Sequence, residues 1–189
     1  MNRVGLAAST GPVVRRLRWQ QACRIVPTRY PAVSLFDRVA SADDFEALYA
    51  LEAMTNERAR DELGHIERVP QDQRLYGPGS GPIMAAFTHV NVLGSRFSAG
   101  TYGVFYAAHD RATAVAETRH HHGKFLAATA QGPMHLPMRL YHVAVDARLH
   151  DLRPAGDVDA AVYDPVDYSA AQALGGRLQT AGSAGVAYR

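Results

Sequence analysis

The chain has 189 residues, 47% hydrophobic and 20% charged, with a net charge of +2. That is enough chain to bury a core and too apolar for disorder throughout. The lone Cys23 excludes an internal disulfide and a cysteine zinc cage, and the small net charge argues against direct nucleic-acid binding. No apolar run reaches the roughly 20 residues of a membrane span, and no secretory h-region is visible at the start, so a cytoplasmic protein is expected.

In chain order, residues 1–18 read as a poorly ordered lead-in, with Arg15, Arg16 and Arg18 as a solvated basic flank. Residues 22–26 form a short strand candidate stopped by Pro27 and Pro31. Ser41 and Asp44 resemble a capping box, after which Phe45, Leu48 and Leu51 begin helical spacing that runs to Leu63, with Gly64 as a stop. Residues 75–82 are the most loop-like part of the chain, and 83–89 form a short apolar helix or strand. Residues 94–100 read as a turn and 101–108 as a strand, with Tyr102, Val104 and Tyr106 on one face. Asp110 can cap a helix that holds Glu117 and ends near Gly123. A strand at 138–145, a helix at 168–180 capped by Gly182 and a strand from Gly185 complete the reading. The alternation predicts an α+β domain on a mixed sheet.

Arg96, Tyr106 and Glu117 are the residues with chemical potential. An arginine in a turn can hold phosphate in a planar fork, a tyrosine can stack on a flat ring, and a carboxylate can stabilise positive charge developing at a sugar carbon. Spacing alone favours the simpler reading, in which Arg96 and Glu117 are surface ion-pair residues and Tyr106 belongs to the core. Adjacent residues His120, His121 and His122 cannot all face one ion, so no metal is expected and a solvated helix end is the simpler reading. The run Gly77 to Gly81 lacks the ending of a P-loop. Cys23 reads as a small buried hydrophobe. His89 and Asn91 stand as loop residues or as part of the Arg96 pocket.

Arg96-Phe-Ser, Tyr102-Gly-Val-Phe-Tyr106 and Ala112-Thr-Ala-Val-Ala-Glu117 together resemble the pattern of RES-domain toxins, in the longer proteobacterial branch. Residues 172–174 and 181–188 are similar to the closing helix and strand of that family. The resemblance implies an ADP-ribosyltransferase-like fold over residues 19–189, with 32–93 as a family-variable insertion. It implies NAD as substrate and an antitoxin partner that occludes the site. Glu117, Tyr106 and Arg96 would be catalytic; Arg24, Arg29, Tyr30, Arg96 and Tyr106 would bind NAD. The acceptor of ADP-ribose would be a host protein, with phosphorolysis or hydrolysis of NAD as the alternative and an inactive antitoxin-binding module as the third reading. The serine of the family pattern would fall just after Arg189, so a longer native chain is expected.

Overall fold

The computed structural model describes residues 12–30, 35–55, 63–154 and 159–189. Its centre is a mixed sheet of three strands in the order β1 (Val14–Pro27), β2 (Met138–Asp151), β3 (Val186–Ala187). Strands β1 and β2 are antiparallel, and β3 joins β2 in parallel through His150 and Asp151. Among the described residues four α-helices accompany the sheet: α1 (Ala42–Thr55), α2 (Gly81–Thr88), α3 (Arg111–Ala128) and α4 (Ser169–Thr180). The fold is α+β, and no helix among the described residues is long and apolar enough to cross a membrane.

Strand β1 starts at Val14, so residues 14–18, expected in the lead-in, are sheet; residues 1–11 lie outside the described residues. The physical reason is alternation hidden under charge. Arg16 and Arg18 point to one face and meet Asp146 of β2 at 2.6 and 3.3 Å. Leu17 and Trp19 take the other face and are half-buried. A register shift between Trp19 and Ala22 adds one residue to β1, which marks a bulge.

Three small cores hold these elements. The first gathers Phe36, Phe45, Leu63 and Met84 around α1 and α2, with the Phe36 and Phe45 rings stacked at 4.9 Å. Ser41 caps α1 as expected, its Oγ accepting the Asp44 amide at 3.2 Å, while residues 56–62 of the expected helix lie outside the described residues. The second core joins Phe97, Leu152, Val162, Ala171 and Leu174 beneath α4. The third packs Ala114 of α3 and Ala108 on Cys23, which is buried as expected of a small hydrophobe.

Residues 101–108 do not form the expected strand. They run extended, and Ala108 alone joins β1, exchanging two 2.8 Å main-chain hydrogen bonds with Cys23. The rest is pressed against helix main chain rather than against a strand: a Cβ on Gly103 would lie 2.2 Å from the Ala86 carbonyl oxygen of α2. Helix α3 passes through Gly123 and ends at Ala128, so His120, His121 and His122 lie inside the helix, not at its end. One interior glycine costs only about 1 kcal/mol, which Lys124, Phe125 and Leu126 beyond it offset.

Candidate active site

The site grows from the turn at 94–100. Ser95 and Ser98 bridge across it, and Ser98 Oγ donates to the Tyr102 carbonyl at 2.7 Å. Tyr102 and Tyr106 both reach back from the extended segment, as period-two alternation requires. The Tyr102 hydroxyl donates to the Phe97 carbonyl. The Tyr106 hydroxyl donates to Ser95 Oγ at 3.0 Å and accepts the Phe97 amide at 3.1 Å. Phe97 is thereby fixed at both main-chain groups and buries its ring, so its neighbour Arg96 projects the other way.

Arg96 Nη1 donates to the carbonyls of Val162 and Asp164 at 3.2 and 2.9 Å, and its Cζ lies 4.5 Å from the centroid of the Tyr168 ring. Among the described residues no hydrogen bond engages Nε or Nη2, so one edge of the fork is left for a ligand. Asp164 is itself organised by the Val166 and Asp167 amides, which hold its carboxyl below the usual range, with Arg96 adding to the effect. Gln172 of α4 donates to the Ser95 carbonyl at 3.0 Å, and a Cβ on Gly175 would lie 2.1 Å from the Phe97 carbonyl oxygen. Helix α4 therefore rests directly on the turn.

Helix α3 supplies the carboxylate. Asp110 caps it, accepting the Thr113 amide at 2.9 Å, and buried Ala114 turns one face onto β1. Glu117 emerges one turn later, exposed, with no hydrogen bond or ion pair to any described residue. Tyr188, just past β3, ties the parts together. Burial pushes its phenol pKa up, the charges of Glu117 and Tyr106 push it further, and Arg96 opposes them. Its ring meets Phe97 edge-on at 5.0 Å. Burial likewise raises the Tyr106 phenol, against its hydrogen bonds to Ser95 and Phe97 and the charge of Arg96.

Arg96 and Tyr106 are thus brought together at the turn, with Tyr188 against Phe97; the charge of Glu117 reaches the Tyr188 phenol from α3. The ion-pair reading of Arg96 and Glu117 fails among the described residues, and Tyr106 is half-buried at the edge of the second core. Arg24 stands on the far side of the extended segment: Nη1 donates to the Tyr106 carbonyl at 3.0 Å, and Cζ lies 4.7 Å over the Phe105 ring. Burial lowers its pKa, and its Nε is buried without a partner. Arg29 and Tyr30 form an exposed pair with each other, Nη2 to hydroxyl at 3.0 Å. Asn91 closes its own turn onto Gly94 and His89 meets Thr88, which favours the loop reading of both. Tyr168 and Tyr188 were missed as site residues. Their signals are weak: an aromatic before a helix and an aromatic after a strand.

The pattern of the RES domain matches residues 66–189. The chain belongs to the RES domain family. That match takes in Arg96, Tyr106, Glu117, His121, Tyr168 and Tyr188, and it includes residues 66–93, which the sequence reading set apart as insertion; Arg24, Arg29 and Tyr30 lie before it. The family is associated with toxin–antitoxin pairs and with NAD-acting enzymes. This RES domain is 33% identical over 132 residues to Uncharacterized protein y4oC of Sinorhizobium fredii (strain NBRC 101917 / NGR234), covering 69% of the chain. The matched stretch spans 56% of that relative. No solved structure matches this RES domain.

Proposed function

We propose that this chain is the toxin of a toxin–antitoxin pair, built on an ADP-ribosyltransferase-like fold, that cleaves NAD in the cytoplasm and transfers ADP-ribose to a host protein. The observation that carries the reading is the turn at 94–100, which bears Arg96 with one edge of its fork open and anchors the Tyr106 hydroxyl, with an exposed Glu117 on α3 that has no hydrogen bond or ion pair among the described residues. Cleaving nicotinamide from ribose develops positive charge at C1′, and a fixed carboxylate stabilises that charge more in the transition state than in the ground state. Glu117 accepts hydrogen bonds from the ribose hydroxyls. The nicotinamide stacks on Tyr106, and the open edge of Arg96 takes a pyrophosphate oxygen. Arg24, whose buried Nε lacks a partner, holds the pyrophosphate from the Phe105 side, with Arg29 and Tyr30 at the outer end. An antitoxin inhibits by presenting an acidic group to Arg96.

The test is product analysis of purified protein with NAD, phosphate buffer and cell extract. Nicotinamide together with ADP-ribose on protein, found by mass spectrometry, is the expected result. ADP-ribose 1″-phosphate or free ADP-ribose without labelled protein would replace transfer by phosphorolysis or hydrolysis. Absence of nicotinamide would leave an antitoxin-binding module.

A further inference from the structure

We propose that Arg139 and Tyr141 of β2, together with Arg24 of β1, form a cradle for a phosphate group of the nucleotide. The inference rests on the NAD-cleaving reading of the site and adds two binding residues to it. The ladder sets Arg24 directly opposite Tyr141, and Arg139 stands two residues before Tyr141 on the same face of the sheet. The neighbours Cys23 and Leu140 turn to the other face, against Ala114 of α3. Arg24 and Arg139 are diagonal across the ladder, about 7 Å apart at the backbone, a gap that long side chains span. Arg139 Nη1 donates to the Tyr141 hydroxyl at 3.2 Å, and Arg24 Nη1 holds the Tyr106 carbonyl at 3.0 Å. The cradle therefore begins at the segment that carries Tyr106, on the face of the sheet away from α3.

Their neighbours set these arginines apart from the others on the ribbon. Arg15, Arg16 and Arg18 of β1 meet the carboxylates of Asp151 or Asp146 at 3.8, 2.6 and 3.3 Å. Among the described residues Arg24 and Arg139 pair with no carboxylate. Each lies by an aromatic ring instead: Arg24 Cζ is 4.7 Å from the Phe105 centroid, and Arg139 Cζ is 5.9 Å from that of Tyr141. Donors are left over. Nη2 of Arg24, Nε and Nη2 of Arg139 and the Tyr141 O–H donate to no described residue, and of these three side chains only the Arg24 Nε is enclosed without a partner. Two cations that converge on one face repel, and a phosphate between them turns that repulsion into attraction. Its several oxygens suit two planar forks and a phenol.

Two phosphates of such a ligand carry that chemistry: the pyrophosphate bridge, and a 2′-phosphate on the adenosine ribose where the dinucleotide has one. No bond is made or broken in the cradle. Its residues act on affinity, so their loss should raise KM and leave kcat nearly unchanged.

The experiment is calorimetry on wild type, Arg139→Gln, Arg139→Lys and Tyr141→Phe, with circular dichroism to check folding. The probes are ADP-ribose, its 2′-phosphate ester, and adenosine as the phosphate-free control. With the pyrophosphate in the cradle, Arg139→Gln should weaken ADP-ribose about tenfold, the scale of one charge-assisted contact. Tyr141→Phe and Arg139→Lys should lose less, and adenosine should bind all four proteins alike. With a 2′-phosphate in the cradle, the ester alone should show the loss. An Arg139→Gln protein that binds both phosphate ligands like wild type, or loses adenosine equally, overturns the inference alone. A wild type that binds ADP-ribose through Arg139 yet releases no nicotinamide from NAD overturns the NAD-cleaving reading and leaves the cradle standing. A wild type that binds neither phosphate ligand overturns both.

Discussion

Arg96 and Tyr168 meet guanidinium to ring at 4.5 Å, though one comes from the turn before the extended segment and the other from the start of α4. The contact aims the fork whose Nη1 already serves two carbonyls. Tyr168→Phe should keep the face and NAD affinity. Tyr168→Ala should weaken NAD binding by about 1 kcal/mol, roughly fivefold in Kd by calorimetry. Equal affinity of wild type and Tyr168→Ala would separate the ring from ligand binding.

Arg96 has two duties that two substitutions separate. Arg96→Ala removes the bonds to Val162 and Asp164 and should lower stability by roughly 1–3 kcal/mol in urea unfolding, besides weakening NAD binding. Arg96→Lys should retain more affinity than Arg96→Ala, yet less than wild type, because an ammonium offers no planar fork. Unchanged NAD affinity in Arg96→Ala would leave the residue a purely structural role.

Glu117 has no hydrogen bond or ion pair among the described residues, so its loss should cost no stability. Glu117→Gln should melt like wild type and release nicotinamide at least about 10²-fold more slowly. Turnover near the wild-type rate would remove Glu117 from the chemistry.

Gly175 lies on the Phe97 carbonyl with no room for a methyl group. Gly175→Ala should therefore push α4 off the turn, at a cost of about 1–3 kcal/mol in denaturant unfolding. Loss of NAD binding should accompany it, since Gln172 and Tyr168 move with the helix. A variant as stable as wild type would show that α4 yields without resistance.

Asp151 ends β2, buried, and the two-point hydrogen bond from Arg153 holds its carboxyl below the ordinary 3.8, with burial opposing. A depressed folded pKa means stabilisation present above the unfolded value and lost as pH falls through the folded one. Wild type should exceed Asp151→Asn in urea midpoint at pH 7, and the gap should close on acidification below about 3.8. A gap independent of pH would show that the carboxylate charge is not what Arg153 needs.

Features that depend on neighbours in sequence were legible. The Asp110 cap, the Ser41 cap and the end of α4 follow local hydrogen-bond rules; Gly182 and Ser183 donate to the Gln179 and Leu178 carbonyls as a glycine stop predicts. What failed depends on partners far along the chain. The early half of β1 was masked because Asp146, which neutralises Arg16 and Arg18, lies on β2. Residues 101–108 have strand composition, but strand identity requires a ladder, and α2 occupies that flank at Gly103. In the site, Arg96, Tyr106 and Glu117 were named through family resemblance, since spacing could not separate them from surface pairs. Tyr168 and Tyr188 join only when α4 and β3 meet the turn.

Gly103 and Gly175 set main chain against main chain on both flanks of the segment that carries the Phe97 anchor and Tyr106. Contacts of that kind have no rotamers with which to give way. Spreading α2, the turn and α4 apart would require main chain to give way, so these form a stiff floor. Helix α3, by contrast, is held to the sheet through the small side chain of Ala114 and carries Glu117 exposed on another face. Room for a large ligand would therefore have to come from the side of α3, the helix that bears Glu117.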